Sequence, residues 1–207
     1  MKHKLDLDTW ARKVHFNFFK TFEEPYHGAC VRIDCTPAYR HAKEAGVPFF
    51  FYYLYQSLCA AQRVEPFRLR IQNDDVYVHD HLDAAVTVAR DNGTFGYGYI
   101  PYRETLQEFI EGGQREVERV KNASDLTPNG AENAILYSVL PWLDFTSVSH
   151  ARVFSFRGTS PFITFGKMTE HGGKRTMPLS IHVHHALVDG LHLGQYVDCF
   201  QELMNAE

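Results

Sequence analysis

The sequence predicts an α/β fold, a two-layer sandwich in which helices cover a mixed, mainly antiparallel sheet. Three observations support this class: helical apolar periodicity recurs in the first half, strands dominate the second half, and no regular βαβ alternation joins them. The chain of 207 residues suits one domain or at most two small ones. Because no repeat, low-complexity tract or linker divides the sequence, we expect a single domain over residues 1–207.

The first half is predicted to mix helices with short strands. Trp10, Val14 and Phe18 recur at i, i+4 and i+8, and Asp8 stands in a capping position, which indicates an amphipathic first helix. The next predicted elements are a strand over Ala29–Cys35, a helix over Pro37–Ala45 and a largely buried helix from Pro48 to about Arg63. A hairpin follows, with strands Phe67–Ile71 and Val76–His79 around a turn at Asn73-Asp74, and then a strand over Ala84–Arg90. A Gly- and Tyr-rich stretch over Gly93–Tyr102 leads to a charged helix over Glu104–Lys121, with a candidate bend at Gly112-Gly113.

The second half is predicted to be mainly strands, closed by one helix. A loop over Ser124–Gly130 separates the halves. The predicted strands are Ala134–Leu140, about Ala151–Phe156, Phe162–Lys167 and Arg175–His185, and the last two are joined by a turn at His171-Gly172-Gly173. A helix from about Leu191 to Met204 follows, with Leu193, Val197, Phe200 and Met204 on one face.

Composition narrows the partners and the compartment. The net charge is −4, without a long run of one sign, which argues against nucleic acid or an anionic membrane as the main partner. The most apolar stretch, Val47–Ala61, is too short to span a bilayer, and the N-terminus lacks an apolar core of signal-peptide length. The four cysteines form no CxxC pair, so we expect reduced thiols in a cytoplasmic protein.

The segment LSIHVHHALVDG, which ends at Gly190, carries the sharpest chemical signal. Strand alternation places His185 at the end of an apolar, core-facing row, with Asp189 on the turn that follows. Desolvation at the edge of a core favours neutral imidazole, the form that accepts a proton, so His185 is a candidate general base. The core-facing row is Leu179, Ile181, Val183 and His185, and the opposite face carries Ser180, His182 and His184.

Two other interpretations of this segment stay open. His185 can be a buried histidine that only satisfies its hydrogen bonds, as most buried polar groups do. Alternatively, His182 and His184, with His192 and Asp189 nearby, can hold a metal ion. Metal is the weaker interpretation, because the two same-face histidines point away from His185 and no HExxH or cysteine pair is present.

The segment HHALVDG matches the HHxxxDG motif of CoA-dependent acyltransferases. The motif is shared by dihydrolipoyl acyltransferase cores, carnitine acyltransferases and condensation domains of peptide synthetases. The sequence around it resembles chloramphenicol acetyltransferases more narrowly, in order from about residue 9 to residue 203. The matching segments are TWARKVHFNFF, LYSVLPWLDFTS, PFITFGKM and IHVHHALVDGLHLGQYVDCFQEL.

This resemblance implies a chloramphenicol acetyltransferase-like fold and an acetyl-CoA-dependent O-acetyltransferase that modifies the hydroxyl of chloramphenicol and confers antibiotic resistance. It implies direct attack on the thioester with His185 as the general base, an oxyanion donor at Ser138, and water-mediated help from Thr164. Asp189 and Arg12 match a structural pair that fixes the turn presenting His185. The ordinary alternatives are a satisfied core hydroxyl for Ser138, a plain strand residue for Thr164 and a solvated helix residue for Arg12.

The same resemblance implies the ligand contacts and the assembly. Trp142 and Lys167 match positions near the CoA channel, and acetyl-CoA is the co-substrate, without a metal. The family is trimeric with active sites between subunits, so we expect a homotrimer. The matching acceptor-pocket residues are Phe18, Phe19 and Phe95. Core packing is the ordinary alternative for those aromatics, and solvation is the ordinary alternative for Lys167.

Several positions depart from the family pattern. Tyr97 stands where smaller or aliphatic residues are usual, and His150 stands where an apolar pocket residue is expected. Val188 replaces the cysteine of the common HHxxCDG form. Bulkier or more polar walls can change the acceptor, so the same chemistry on a different hydroxylated small molecule is one alternative function. A non-catalytic trimeric binding protein of the same fold is another, although it predicts loss of His185, Ser138 or Asp189, and all three are present.

Overall fold

The computed structural model describes residues 1–153 and 158–206. The strands in this part are β1 (Lys2–Lys4), β2 (Tyr26–Asp34), β3 (Leu69–Gln72), β4 (Asp75–His79), β5 (Asp83–Ala89), β6 (Phe95–Ile100), β7 (Ala134–Val139), β8 (Phe162–Phe165), β9 (Thr169–His171) and β10 (Lys174–His184). The α-helices are α1 (Lys13–Phe19), α2 (Thr36–Glu44), α3 (Phe49–Arg63), α4 (Leu106–Asn122) and α5 (Gly190–Asn205), and Glu65–Arg68 form a 3₁₀ helix.

A mixed seven-stranded sheet forms the main layer, in the order β2-β10-β8-β7-β5-β6, with β9 paired beside β10. The β5–β7 and β7–β8 pairs are parallel, whereas the pairs that β10 makes with β2, β8 and β9 are antiparallel. The predicted mixed, mainly antiparallel sheet is therefore confirmed. A small antiparallel sheet, in the order β1-β4-β3, stands apart from it.

The helices bury one face of the large sheet. Strand β10 lies inside the sheet between β2 and β8, and its inward row, Leu179, Ile181 and Val183, is fully buried. Helix α3 carries apolar residues on most of its surface because it packs between neighbouring helices and contacts α5 closely. The buried Ser57 hydroxyl of α3 contacts the hydroxyls of Tyr196 at 2.6 Å and Tyr137 at 3.1 Å.

Two local predictions are settled by backbone conformation. Asn73 and Asp74 adopt φ values of 50° and 67°, the left-handed pair that a tight β-hairpin turn requires, as predicted for β3 and β4. The candidate bend at Gly112-Gly113 does not break the helix, because α4 continues from Leu106 to Asn122. Gly113 serves packing instead: a Cβ there would lie 2.4 Å from the ring of Phe51.

The predicted face of the first helix is wrong. Helix α1 begins at Lys13 with Arg12 as its N-cap, so Trp10 precedes it, and Asp8 pairs with the Lys13 ammonium at 2.6 Å instead of capping. Phe16 is the fully buried residue of α1, and the side chain of Phe18 is 60% exposed. Because the helix starts later than predicted, the series of Trp10, Val14 and Phe18 does not form one inward face.

The other boundaries agree with prediction to within a few residues, apart from one strand. Residues 151–153 of the predicted strand Ala151–Phe156 form no regular structure, and its last three residues lie outside the described part of the chain. None of the described helices combines the length and the apolar character that crossing a membrane requires.

Candidate active site

The end of β10 and the turn after it place His185 at the edge of the sheet. Strand β10 ends at His184, and the His185 backbone N–H still donates to the Pro25 carbonyl at 2.9 Å, one step beyond the β2–β10 ladder. The His184 carbonyl then accepts from Leu187 at 2.9 Å and from Val188 at 3.0 Å. These bonds close a tight turn that leads directly into α5, so the position of His185 is fixed by backbone on both sides.

The imidazole of His185 lies between two flat rings. The Phe19 ring stacks on it with centroids 3.9 Å apart and planes 13° apart, and the His27 ring lies 4.0 Å away. His27 pairs with Val183 across the strands, so His185 lies beside the inward row, as the alternation predicts. His185 Nδ1 is buried and has no hydrogen-bond partner among the described residues. The ring is therefore held by its faces, while its nitrogens are left for other partners.

Neutral histidine neighbours keep this site free of added charge. Burial, the largest influence, lowers the pKa of His27, although a hydrogen bond at 3.0 Å to the Val188 carbonyl opposes the shift. Burial also lowers the pKa of His184 to about 4, with the Arg152 guanidinium adding to the effect. Both rings are consequently uncharged near neutral pH.

Asp189 fixes the turn after His185. It is the N-cap of α5: its Oδ1 accepts from the Leu191 N–H at 3.1 Å, and its own N–H donates to His192 Nδ1 at 3.1 Å. Its other carboxylate oxygen forms an ion pair with Arg12. Burial alone would raise the pKa of Asp189, but the hydrogen bond and charge of Arg12 prevail and hold that pKa below its ordinary value. The carboxylate is thus ionised and acts on the turn, without bonding His185 in the described part of the chain.

The two hydroxyl residues expected to help catalysis lie side by side. Ser138 on β7 and Thr164 on β8 are register partners, and Ser180 on β10 is the next partner of Thr164. Thr164 is fully buried, and its Oγ1 lies 3.3 Å from His150 Nε2. Ser138 is half-buried, and its hydroxyl makes no hydrogen bond within residues 1–153 and 158–206. The parallel β7–β8 pairing therefore places an unengaged hydroxyl beside Thr164.

His185 and this hydroxyl pair lie far apart within one protomer. Along β10, His185 is five residues beyond the register position of Ser180, and Ser138 lies two strands across. With about 3.3 Å per residue and about 4.8 Å per strand, their separation is roughly 15–20 Å. One protomer therefore carries both sets of groups on separate parts of its surface.

The three aromatic residues predicted to line the acceptor pocket also lie on separate parts of the protomer. Phe18 and Phe19 lie on α1 with ring centroids 5.0 Å apart, beside His185. Phe95 lies on β6, at the opposite end of the sheet from β2, and its side chain is 45% exposed. Tyr97, the bulky departure noted in the sequence, contacts Phe95 with ring centroids 5.6 Å apart. Phe95 therefore faces outward on a different edge from His185.

Trp142 and Lys167 lie close together at the carboxyl ends of two parallel strands. The turn carrying Trp142 follows β7, and the Lys167 N–H donates to the Leu143 carbonyl at 2.8 Å after β8. The Trp142 side chain is 70% exposed, and Lys167 is exposed. A flat ring and a cation are thus presented to solvent on one edge of the sheet, next to the hydroxyl pair.

A cavity of about 960 Å³ opens beside His184, and the sequence analysis missed its charged wall. Glu24 forms an ion pair with Arg152, whose guanidinium lies 3.8 Å from the centroid of the Tyr26 ring. Glu24 and Arg152 stand 128 residues apart in the chain. Each resembles an ordinary surface residue in its own segment, so no local pattern could have indicated the pair.

The alternative metal site is not formed in this structure. Across the residues described, no three His, Cys, Asp or Glu side chains are grouped to hold a metal ion. His182 contacts the Ser180 hydroxyl through Nδ1 at 3.2 Å, and His192 takes part in the cap of α5. These histidines have separate roles in the fold.

Comparison with known proteins matches nearly the whole chain to one family. The family model described as chloramphenicol acetyltransferase matches residues 1–201. Chloramphenicol acetyltransferase 3 of Escherichia coli is 29% identical over 208 residues, with 99% of this chain and 97% of the relative covered. The chloramphenicol acetyltransferase of Bacillus pumilus is 28% identical over 200 residues, with 95% of this chain and 91% of the relative covered.

Solved structures agree. A chloramphenicol acetyltransferase structure superposes with a TM-score of 0.89 at 30% identity, covering 99% of this chain and 100% of that chain. The dihydrolipoamide acetyltransferase of Azotobacter vinelandii gives a TM-score of 0.66 at 14% identity, covering 93% and 86%. At that identity, the second likeness shows the fold alone.

Proposed function

The chain belongs to the chloramphenicol acetyltransferase family, and from this membership we propose that it transfers an acetyl group from acetyl-CoA to a hydroxyl of chloramphenicol, conferring resistance to that antibiotic. The observation that carries the proposal is the HHALVDG turn, which holds the His185 imidazole between Phe19 and His27 with its nitrogens unengaged. All four cysteines are free, which fits a reducing, cytoplasmic location.

His185 is the general base of the proposed reaction. An alcohol attacks a thioester well only when its proton is removed as the new C–O bond forms, and a positioned base typically contributes about 10²–10⁴ in rate. The ring is fixed by stacking and by the backbone of the turn, which supplies the orientation that proton transfer needs. The hydroxyl oxygen attacks the acetyl carbonyl directly as His185 takes its proton, and the protonated His185 returns that proton to the departing CoA thiolate, without an acyl-enzyme.

Ser138 and Thr164 stabilise the tetrahedral intermediate. Negative charge develops on the former carbonyl oxygen, and one donor hydrogen bond there is typically worth about 3 kcal/mol. The Ser138 hydroxyl is suited to this role because it has no hydrogen-bond partner within the described chain. Thr164, its register neighbour, assists through a water molecule. Asp189 and Arg12 act at a distance, by holding the turn that presents His185.

Acetyl-CoA approaches along the edge that carries Trp142 and Lys167. The exposed ammonium of Lys167 suits the phosphate groups of the co-substrate, and the exposed Trp142 ring offers an apolar face. Both residues flank the carboxyl ends of β7 and β8, so a thioester bound there lies near Ser138.

A homotrimer assembles the complete site. Within one protomer, His185 and Phe19 lie beyond the carboxyl end of β10. The hydroxyl residues Ser138 and Thr164 lie roughly 15–20 Å from His185, and Phe95 lies farther along the sheet, on β6. In a closed ring, the His185 edge of each protomer meets the Ser138 side of the next. The exposed apolar side chains of α1, Val14 and Phe18, fit a surface that becomes buried in such a contact.

A thiol-release assay tests the function. Purified protein, acetyl-CoA and chloramphenicol should release CoA rapidly, and His185→Ala should reduce the rate by at least two orders of magnitude. The acetylated product should be identified by mass spectrometry. If the wild type releases no CoA above the hydrolysis background, or if His185→Ala keeps the full rate, the proposal fails.

One observation favours a second candidate, the same chemistry on a more polar hydroxylated acceptor. The Tyr97 ring lies 5.6 Å from the ring of Phe95, a proposed acceptor-pocket residue, and its phenol hydroxyl suits a ligand with polar groups better than an apolar one. The same assay with a panel of hydroxylated compounds separates the two functions. Turnover of another alcohol without turnover of chloramphenicol would favour the second.

A further inference from the structure

His150 occupies an enclosed position on the sheet face opposite the helices. Its ring stacks on Phe162 of β8, with centroids 5.2 Å apart and planes 20° apart. The His182 ring of β10 meets it edge-on, at 5.2 Å and 89°. His150 is half-buried, so two neighbours on different strands restrict both the tilt and the rotation of the imidazole.

The same ring belongs to one of two polar pairs whose hydroxyl groups lie opposite each other on β8 and β10. His150 Nε2 lies 3.3 Å from Thr164 Oγ1, and His182 Nδ1 lies 3.2 Å from Ser180 Oγ. Ser180 and Thr164 are opposite each other in the β8–β10 ladder, and both are fully buried. The Thr164 hydroxyl is thus held in a fixed environment instead of rotating freely in solvent.

The direction of the Thr164 proton depends on His150. A hydroxyl has one proton to donate and two lone pairs that accept, and a neutral imidazole donates from one nitrogen and accepts at the other. Burial, with the nearby His182, lowers the pKa of His150 and keeps it neutral. If His150 Nε2 accepted, it would take the only proton of Thr164. If it donates, that proton remains available to a neighbouring group.

We propose that His150 is a positioning residue whose Nε2–H donates to Thr164 Oγ1 and thereby leaves the Thr164 proton free to donate toward the reaction intermediate. This inference rests on the proposed function, because it deepens the role of Thr164 in the same site. His150 acts only through Thr164 and touches no reacting atom. It also gives a physical purpose to a polar residue at a position where an apolar one is expected.

Turnover measurements test the role with three variants. His150→Leu removes the donor at similar volume, and His150→Gln restores an N–H donor at a similar reach. His171→Leu removes an exposed histidine from the end of β9 as a control. One hydrogen bond of this kind predicts a fall in kcat of about 3- to 10-fold for His150→Leu, with KM for both substrates within about 2-fold. His150→Gln should recover most of the rate, and His171→Leu should match the wild type.

The same substitution made in Thr164→Val protein tests whether His150 acts through Thr164 or only stabilises the fold. In Thr164→Val protein, His150→Leu should cause no further loss of kcat, because the group it orients is already absent. An unchanged kcat in His150→Leu, or an equal loss in the Thr164→Val background, would overturn the inference. Such results would leave the proposed function intact, since that function is judged by wild-type turnover and by His185→Ala.

Side-chain NMR gives a readout that needs no substrate. A long-range ¹H–¹⁵N spectrum of unliganded protein, with the His150 signals assigned by their loss in His150→Gln, should show the Nε2-protonated tautomer. In Thr164→Val protein, the His150 nitrogen shifts should change. A ring protonated at Nδ1, with Nε2 as the acceptor, would overturn the inference whatever the enzyme turns over.

Discussion

The ring of Phe19 lies face to face with the imidazole of His185, with centroids 3.9 Å apart and planes 13° apart. Phe19 is the last residue of α1, and His185 follows the last residue of β10, so this contact joins two element ends from opposite ends of the chain. On its other side, the imidazole meets His27 at 4.0 Å. The orientation of the proposed base therefore depends on aromatic packing more than on hydrogen bonds.

Replacing Phe19 should loosen the proposed base without unfolding the protein. An aromatic pair is worth about 0.5–1.5 kcal/mol beyond its buried area, so Phe19→Ala should lower kcat roughly 3- to 10-fold, with a further rise in KM for the acceptor. Phe19→Tyr should keep most of the rate, because it keeps the stacked ring. Asn17→Ala, an exposed change in the same helix, is the matched control. Equal kcat for Phe19→Ala and Asn17→Ala would contradict the stacking role.

Asp189 combines a helix cap with an ion pair, and two variants separate them. Asp189→Ala removes both and should cost about 2–3 kcal/mol in the free energy of unfolding. Asp189→Asn keeps a capping oxygen but leaves the Arg12 guanidinium unpaired, so it should cost about 1–2 kcal/mol. Urea denaturation and kcat would be measured for each.

A double substitution supplies the control for that pair. Because Arg12 Nε and Nη2 are already buried without partners within the described chain, an unpaired charge there is unfavourable. Arg12→Met should therefore recover part of the stability that Asp189→Asn loses. Strictly additive losses in the double variant would show that the two residues do not interact.

Local patterns were sufficient for the β10–α5 unit. The alternation in LSIHVHH, followed by a turn at Asp189 and an amphipathic helix, predicted the strand, the turn and the helix within one or two residues. These features depend on neighbours within a few positions, which is the range that periodicity and capping describe. The face of α1 was mispredicted because Trp10 falls before the helix, and no local signal marked Lys13 as its first residue.

Contacts between distant segments lay beyond the reach of local patterns. Ser138 and Thr164 meet only because β7 and β8 pair in parallel, a choice made by the whole sheet. The resemblance named both residues but did not indicate His150 as their neighbour. The Glu24–Arg152 pair likewise depends on tertiary packing.

The two adjacent glycines of α4 should respond oppositely to alanine. At Gly112, the nearest atom to an added Cβ is the end of Arg115 at 4.0 Å, so Gly112→Ala should stabilise the protein by about 0.5–1 kcal/mol through helix propensity. At Gly113, the added Cβ would lie 2.4 Å from the buried Phe51 ring, and overpacking should give a net loss of about 1–2 kcal/mol. Thermal unfolding of both variants measures the contrast, and stabilisation by both would disprove the packing role of Gly113.

Stability should fall in mild acid because His184 is buried in its neutral form. Its pKa drops from 6.5 in the unfolded chain to about 4 in the fold. Between these values the unfolded state binds the proton and the native state does not, so the stabilisation is complete above pH 6.5 and is lost as pH falls toward 4. At pH 4.5 the loss from this residue is roughly 2–3 kcal/mol.

A variant that cannot titrate isolates this contribution. His184 Nδ1 accepts from the Ala186 N–H at 3.3 Å, and the Oδ1 of His184→Asn can accept the same bond. Urea midpoints at pH 7.5 and pH 4.5 should therefore differ less in His184→Asn than in the wild type. The remaining decline in the variant belongs to other groups such as His79, whose pKa burial also lowers to about 4. Parallel declines in both proteins would rule out His184 as a source of acid sensitivity.

Complementation between inactive subunits should show how the proposed site is shared. Within one protomer, His185 and Ser138 lie roughly 15–20 Å apart, so a productive site must take them from different copies. His185→Ala and Ser138→Ala homotrimers should each be nearly inactive.

If the two chains are co-expressed in equal amounts and assemble at random, about a quarter of the interfaces in a cyclic trimer pair an intact His185 with an intact Ser138. The mixed preparation should therefore recover about a quarter of the wild-type activity per site, and light scattering should give the mass of three chains. A monomer by light scattering, or a mixture no more active than its separate components, would refute the shared site.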